Sequence, residues 1–176
     1  ELTGIAVACD FRSRDVAAGG QGAPLVPVFH QAVWNDSGET LVVLNLGGIA
    51  NLSVLAPGKT PFGFDCGPAN ALLDGWCQQH TGQPYDADGR WAAQGQVHVA
   101  LLQQLMAEPY IRQAPPKSTG RDLFNAEWLQ QQLALQPGIA AVDVQATLTA
   151  YTVQAAAHHV RAHAPAATRL LVCGGG

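Results

Sequence analysis

The stretch Thr40-Leu41-Val42-Val43-Leu44-Asn45-Leu46-Gly47-Gly48-Ile49-Ala50-Asn51-Leu52-Ser53-Val54-Leu55 decides the fold class of this 176-residue chain. Thr40 to Leu46 is apolar, carries Val42 and Val43, and stops at a glycine pair, which is the pattern of a buried strand. Ile49 to Leu55 alternates enough to be its hairpin partner. Beyond the turn residues Ala56-Pro57-Gly58-Lys59, Thr60 to Phe64 reads as a third strand that ends at Asp65.

Upstream, Ile5 to Ala8 is a short apolar run ending at Asp10, read as a buried strand. Gly19 to Pro24 is a glycine-rich loop, and Leu25 to Trp34 a helix whose start is blurred by Pro24 and Pro27. Asn35 to Gly38 is a turn signal. Downstream, Leu72, Leu73, Trp76 and Cys77 recur at helical spacing behind Pro68, so a helix starts near Asn70. Thr81 to Gly89 reads as a polar loop. Trp91 to Met106 reads as one helix with Val97, Leu101, Leu102 and Leu105 inward. Pro109 to Gly120 is irregular and proline-rich. Helices follow at Asn125 to Leu135 and Val144 to Ala162, and a last strand at Arg169 to Val172. This order predicts a mixed α/β domain, with helices on both faces of a mixed sheet.

With 48% hydrophobic residues the chain can bury a core, and its length suits one domain. The net charge is −4 and the nine basic residues form no stripe, so nucleic acid is not an expected partner. No apolar run approaches the ~18 residues of a membrane span, and Glu1-Leu2-Thr3-Gly4 does not open a signal peptide. The four cysteines, Cys9, Cys66, Cys77 and Cys173, contain no C-x-x-C pair. Their spacing reads as buried free thiols in a reducing cytoplasm. His159 and His163 share a helix face, but two ligands make a poor metal site. Trp76, Trp91 and Trp128 read as core or interface aromatics. Without an initiator Met, and with Gly174-Gly175-Gly176 following an apolar stretch, the sequence reads as a fragment of a longer protein.

Four segments share one design, an apolar strand that runs into glycine-rich polar sequence: Asp10 to Pro24, Asn45 to Asn51, Asp65 to Asn70 and Cys173 to Gly176. Ligands of α/β sheets bind beyond strand ends, and glycines let backbone N–H groups approach an anion. No G-K-[ST] follows any of the four, so none is a Walker A loop, and none is a Rossmann fingerprint. A glycine at a strand end also serves simply as a turn.

Asp10-Phe11-Arg12 with Gly19-Gly20-Gln21-Gly22-Ala23-Pro24-Leu25-Val26-Pro27 resembles the signature of the anhydro-N-acetylmuramic acid kinases. So do Asn45-Leu46-Gly47-Gly48-Ile49-Ala50-Asn51, Phe64-Asp65-Cys66-Gly67-Pro68, Pro116-Lys117-Ser118-Thr119-Gly120-Arg121 with Phe124-Asn125 and Trp128-Leu129, and the closing Cys173-Gly174-Gly175-Gly176. The resemblance runs over almost the whole chain, in order. It implies an actin/hexokinase-like (ribonuclease H-like) lobe, residues 1–176 being one nucleotide-binding lobe from the central to C-terminal portion of a two-lobed kinase. It implies ATP and Mg²⁺, a cytoplasmic protein, and an anhydro amino sugar as substrate. Water opens the 1,6-anhydro ring while O6 takes the γ-phosphoryl group, in the recycling of cell-wall sugars. A homodimer is compatible with it. Other readings are a different actin-like sugar or acid kinase, and a non-catalytic ATP-binding domain.

On that resemblance Asp10, at a strand end before the loop, is the candidate general base. Asp15 competes with it, and reads otherwise as a surface salt-bridge partner of Arg12 or Arg14. Gly19, Gly20, Gln21 and Gly22 would face phosphate or sugar. Gly47, Gly48 and Asn51 resemble a second phosphate loop. Asp65, Gly67, Pro68 and Asn70 would lie near the nucleotide, Asp65 acting on Mg²⁺ through water or capping the helix at Asn70. Gly174, Gly175 and Gly176 would approach the adenosine. Lys117, Ser118 and Arg121 would bind an anion or pin a proline-rich loop. The chain departs from the family at Cys66, usually Thr, and Ala69, often Gly. It also lacks the family's Gly-Thr-Ser-Leu-Asp-Gly-type loop and the Ala-His-Asn after the last glycines, so alone it is not expected to be a complete kinase.

Overall fold

The computed structural model describes residues 3–34 and 38–175. Among them is one four-stranded sheet, built from β1 (Leu41–Leu46), β2 (Ile49–Leu55), β3 (Phe62–Pro68) and β4 (Arg169–Gly174) in the order β3-β2-β1-β4. β1, β2 and β3 form an antiparallel meander, and β4 adds parallel to β1. The hairpin expected from the opening stretch is present, with Leu41 paired to Leu55 and Leu46 to Ala50.

Period-2 alternation sorts the strand residues onto two faces. Val42, Leu44, Ala50, Leu52, Phe64 and Cys66 point one way and are covered by the long helix α7 (Ala141–His163) through Ala156 and Val160. Leu41, Val43 and Leu55 point the other way. There α2 (Pro27–Trp34) lies on β2, where His30 Nδ1 meets Ser53 Oγ at 2.9 Å. Helices therefore lie on both faces, as expected. A second core joins α3 (Asn70–Thr81), α4 (Val99–Met106), α5 (Pro109–Arg112) and α6 (Ala126–Ala134) to α7 around Leu101, Phe124, Leu148 and Tyr151. Each such buried side chain stabilises the fold by about 1.5–3 kcal/mol.

The structure corrects several expectations. Ile5 to Ala8 is not a strand: no described residue pairs with it, and Ile5 and Val7 are 74% and 79% exposed. An apolar run becomes a strand only where a neighbour takes its backbone hydrogen bonds. Phe11–Ala17, to which the sequence reading assigns no element, is a helix (α1). β3 extends beyond Asp65 to Pro68, with a bulge that leaves Cys66 between the paired residues Asp65 and Gly67.

The helix expected over Trp91 to Met106 is broken. Only a short turn, Ala92–Gln94, precedes α4. Gln96 N donates to Asp143 Oδ1 and His98 N to Thr147 Oγ1, so residues 95–98 run extended along the start of α7. His98 Nδ1 then caps α4 by accepting from Leu101 N, and Val97 is exposed. Val153 of α7 is exposed as well. Two cysteines, Cys66 and Cys77, are buried as expected, whereas Cys9 and Cys173 are exposed. The turn expected at Asn35 to Ser37 lies outside the described residues.

Candidate active site

The register places one polar side chain from each strand in a row across the sheet. Asn51 of β2 pairs with Asp65 of β3 on one side and Asn45 of β1 on the other, and Asn45 pairs with Cys173 of β4. All four line a cleft of about 520 Å³. One wall is Arg12, the segment Gly22 to Val26 and His30; the opposite wall is Ser118 and Thr119. Only the strands' upper ends carry this polarity, since the residues below it pack into the two sheet cores.

Asp65 is the sole carboxylate lining the cleft among the described residues. It is only 5% exposed and is held by four hydrogen bonds. Its Oδ2 accepts from Ser118 Oγ at 2.8 Å and Thr119 N at 3.0 Å. Its carbonyl accepts from the Tyr110 hydroxyl at 2.9 Å, and its N–H donates to the Lys117 carbonyl at 3.3 Å. Oδ1 takes no hydrogen bond from the described residues. A buried carboxylate needs such donors to remain charged. The expectation that Asp65 caps α3 is not met, because the residue before that helix is Ala69 and no side chain caps it.

Behind Asp65 lies Lys117, 2% exposed. Its Nζ donates to the carbonyls of Tyr110 (2.8 Å) and Ile111 (3.4 Å) and to His159 Nε2 (3.2 Å), and stands 4.4 Å from the Tyr110 ring centroid. Burial pushes the lysine down to about 8, against the pull of Cys66 and Asp65. Of the two roles open to Lys117 and Ser118, the structure gives them the pinning one: they fasten the proline-rich segment to the end of β3. Arg121 lies beside Gly48 and Ala71.

Of the residues singled out in the sequence, Gly22, Asn51, Asp65 and Ser118 meet in the cleft. Asp10 does not line it: it is exposed, has φ 62°, and accepts from Ser13 Oγ. Asp15 makes no ion pair with Arg12 or Arg14. Its Oδ2 accepts from Gly22 N at 2.8 Å and its carbonyl from Gly20 N at 2.8 Å. Gly19, Gly20 and Gln21 form the loop that this carboxylate gathers. Gly47 and Gly48 form the β1–β2 turn, whose carbonyls accept from Asn70 N, Ala69 N and Ala71 N. Gly67 packs on Ile111 and Ala155, and the Pro68 carbonyl accepts from Thr152. Asn70 Nδ2 donates to the Leu46 carbonyl. These residues brace the wall of the site from behind. Gly174, at φ 140°, passes so close to β1 that a Cβ would sit 2.3 Å from the Leu46 carbonyl. Gly175 follows it, and Gly176 lies outside the described residues.

Sequence reasoning missed His30 as a cleft residue, and reached Asn45 and Cys173 only as the ends of candidate segments. The signal for Asn45 was present, a polar residue opposite Asn51 in otherwise apolar strands.

The model of the family described as anhydro-N-acetylmuramic acid kinase matches residues 1–176. The chain belongs to the anhydro-N-acetylmuramic acid kinase family. It is 62% identical over 179 residues to a Bordetella petrii protein of that name, covering 100% of this chain and 47% of the relative. Proteins of the same name from Cupriavidus pinatubonensis and Variovorax paradoxus are 60% and 59% identical, each match covering 100% of this chain and 48% of the relative. The chain thus spans about half the length of these curated relatives. The match is a share of length, and the expected placement in the central to C-terminal portion is set aside. Anhydro-N-acetylmuramic acid kinases belong to the actin/hexokinase-like superfamily, and the mixed sheet with helices on both faces agrees with it. The readings as a different actin-like kinase or a non-catalytic domain are not favoured.

Proposed function

We propose that the whole protein is an ATP-dependent kinase that opens 1,6-anhydro-N-acetylmuramic acid and yields N-acetylmuramic acid 6-phosphate. On this reading residues 1–176 form a nucleotide-binding lobe of a two-lobed enzyme working in the cytoplasm on a cell-wall sugar. The family supports it, as does the absence, among the described residues, of a helix long and apolar enough to cross a membrane.

The observation that carries the reading is the Asp65–Asn51–Asn45–Cys173 row at the mouth of four strand ends. The reaction needs a base for water and donors around the phosphates. Asp65 suits the first need: its Oδ2 is anchored and its Oδ1 takes no hydrogen bond from the described residues. Water attacks the anomeric carbon and gives its proton to that carboxylate. The bond from the anomeric carbon to O6 breaks, and O6 takes the γ-phosphoryl group. Asp10, the base candidate by its place in the sequence, enters the same test. Asn45 and Asn51 offer amide N–H groups, and Arg12 a guanidinium, to phosphate or sugar oxygens.

The donor set also fits Mg²⁺, since a carboxylate with a free oxygen, flanked by amide carbonyls, suits a hard hydrated cation. Where Asp10 is the base instead, Asp65, with Asn51 beside it, would hold that cation through water, and the cation would supply charge neutralisation of the phosphates. The glycine loops at 19–22, 47–48 and 174–175 line or brace the approach of the nucleotide on this reading.

The test is turnover by the full-length protein with ATP and the anhydro sugar, beside the same assay with free hexoses. Phosphorylated, ring-opened product from the anhydro sugar alone supports the reading; phosphorylation of hexoses, or none at all, overturns it.

A further inference from the structure

His30 stands apart from the rest of α2. Valine, alanine and aromatic residues surround it, yet its ring is 6% exposed and lines the cleft. Trp34 packs on one side, ring centroids 5.1 Å apart, and Phe29 lies at 6.2 Å. Nδ1 is 2.9 Å from Ser53 Oγ on β2, directly below Asn51 on the same face.

The hydrogen bond fixes the ring's tautomer. Ser53 is completely buried, and its hydroxyl has no other partner among the described residues. A buried hydroxyl proton without an acceptor is costly, so Ser53 donates to Nδ1. The remaining proton of a neutral ring then sits on Nε2. Burial lowers the imidazole from its ordinary value, which favours the neutral ring. Nε2 has no hydrogen-bond partner among the described residues, and it is not sealed from solvent, unlike His159 Nδ1, Tyr151 OH and Gln145 Oε1. A donor without a partner among the described residues, on a cleft-lining ring held by a second residue, is the arrangement of a binding group.

We infer that His30 is a ligand-contacting residue of the cleft, presenting a neutral Nε2–H donor to an oxygen atom of the bound substrate, with Ser53 as its positioning residue. The oxygen belongs to a phosphate of the nucleotide or to a hydroxyl or carboxylate of the sugar. The assignment rests on reading this cleft as the kinase site.

Histidine side-chain nitrogen spectra of the full-length protein, titrated separately with ATP and with the anhydro sugar, identify which. His30, assigned by its loss in His30→Gln, carries its proton on Nε2, and that signal shifts with one of the two ligands. His30→Phe then raises the KM of that ligand about 10-fold, and His30→Gln, which keeps a donor, recovers part of it. Ser53→Ala raises the same KM and lets the tautomer mix. If His30→Phe fails to fold, the wild-type titration still decides. A His30 signal that moves with neither ligand, or a proton found on Nδ1, overturns the inference. Absence of turnover in the wild type counts against the proposed reaction instead, and the ATP and sugar titrations still decide the role of His30.

Discussion

Ser118 donates its hydroxyl proton to Asp65 Oδ2 across 2.8 Å, so a residue 53 positions away sets the direction of the one carboxylate that lines the cleft among the described residues. Thr119 N shares that oxygen. A hydrogen bond to a charged group contributes about 1.5–3 kcal/mol. Ser118→Ala therefore lowers kcat/KM of the full-length enzyme by about 10-fold or more, and Ser118→Thr keeps most of it. Steady-state kinetics check this, with unchanged activity in Ser118→Ala as the contrary result.

The buried Lys117–His159 pair gives stability a pH dependence of known sign. Burial, reinforced by Lys117 and then His158 and His163, pushes His159 down to about 3. An unfolded histidine titrates near 6.5. Below about 6.5 the unfolded chain takes up a proton that the folded chain refuses, so stability falls as pH drops from there towards 3, by up to ~1.4 kcal/mol per unit. His159→Gln keeps an acceptor for Lys117 and does not titrate. Denaturant melts of both proteins between pH 4 and 7 show the wild type losing more stability on acidification; parallel curves contradict the account.

Gly20 lies against the Asp15 carboxylate, where an added Cβ would come within 2.1 Å of Oδ2. That oxygen holds Gly22 N. Gly20→Ala displaces the carboxylate and frees the loop without touching either core. Hydrogen exchange at the Gly22 amide rises about 5-fold, as loss of about 1 kcal/mol of hydrogen bonding implies. An unchanged exchange rate argues against the clasp.

The thiols divide by burial. Cys66 donates to the Ala50 carbonyl at 3.2 Å, and burial, with Asp65 nearby, pushes its thiol up to about 12. Brief alkylation of the folded protein labels Cys9 and Cys173 and spares Cys66 and Cys77, while denatured protein takes label at all four. Peptide mass spectrometry reads the sites. Early labelling of Cys66 contradicts the placement of β3.

The strands and the helices at Asn70 and Asn125 were legible because apolar periodicity and turn residues are local signals. Ile5 to Ala8 misled for the same reason: its pattern is a strand's, but pairing is a property of neighbours that no local window contains. The break before α4 was hidden likewise, since Gln96 and His98 are drawn out by Asp143 and Thr147. In the site, Asp65 and Asn51 were visible as polar residues at strand ends. Their convergence with His30 was not, because it depends on α2 crossing the far face of β2. Cys66, where the resemblance leads one to expect Thr, proves to be a core residue bonded to a carbonyl behind the cleft, which explains why either side chain fits there.

The most direct measurement is ring-opening phosphorylation of the anhydro sugar by the full-length protein carrying Asp65→Asn, beside the wild type and Asp10→Asn. The account predicts that Asp65→Asn loses at least about 100-fold in kcat, the scale of general-base catalysis, while the protein remains folded and binds ATP. Near wild-type turnover in Asp65→Asn, with collapse in Asp10→Asn, would contradict it and move the base to Asp10.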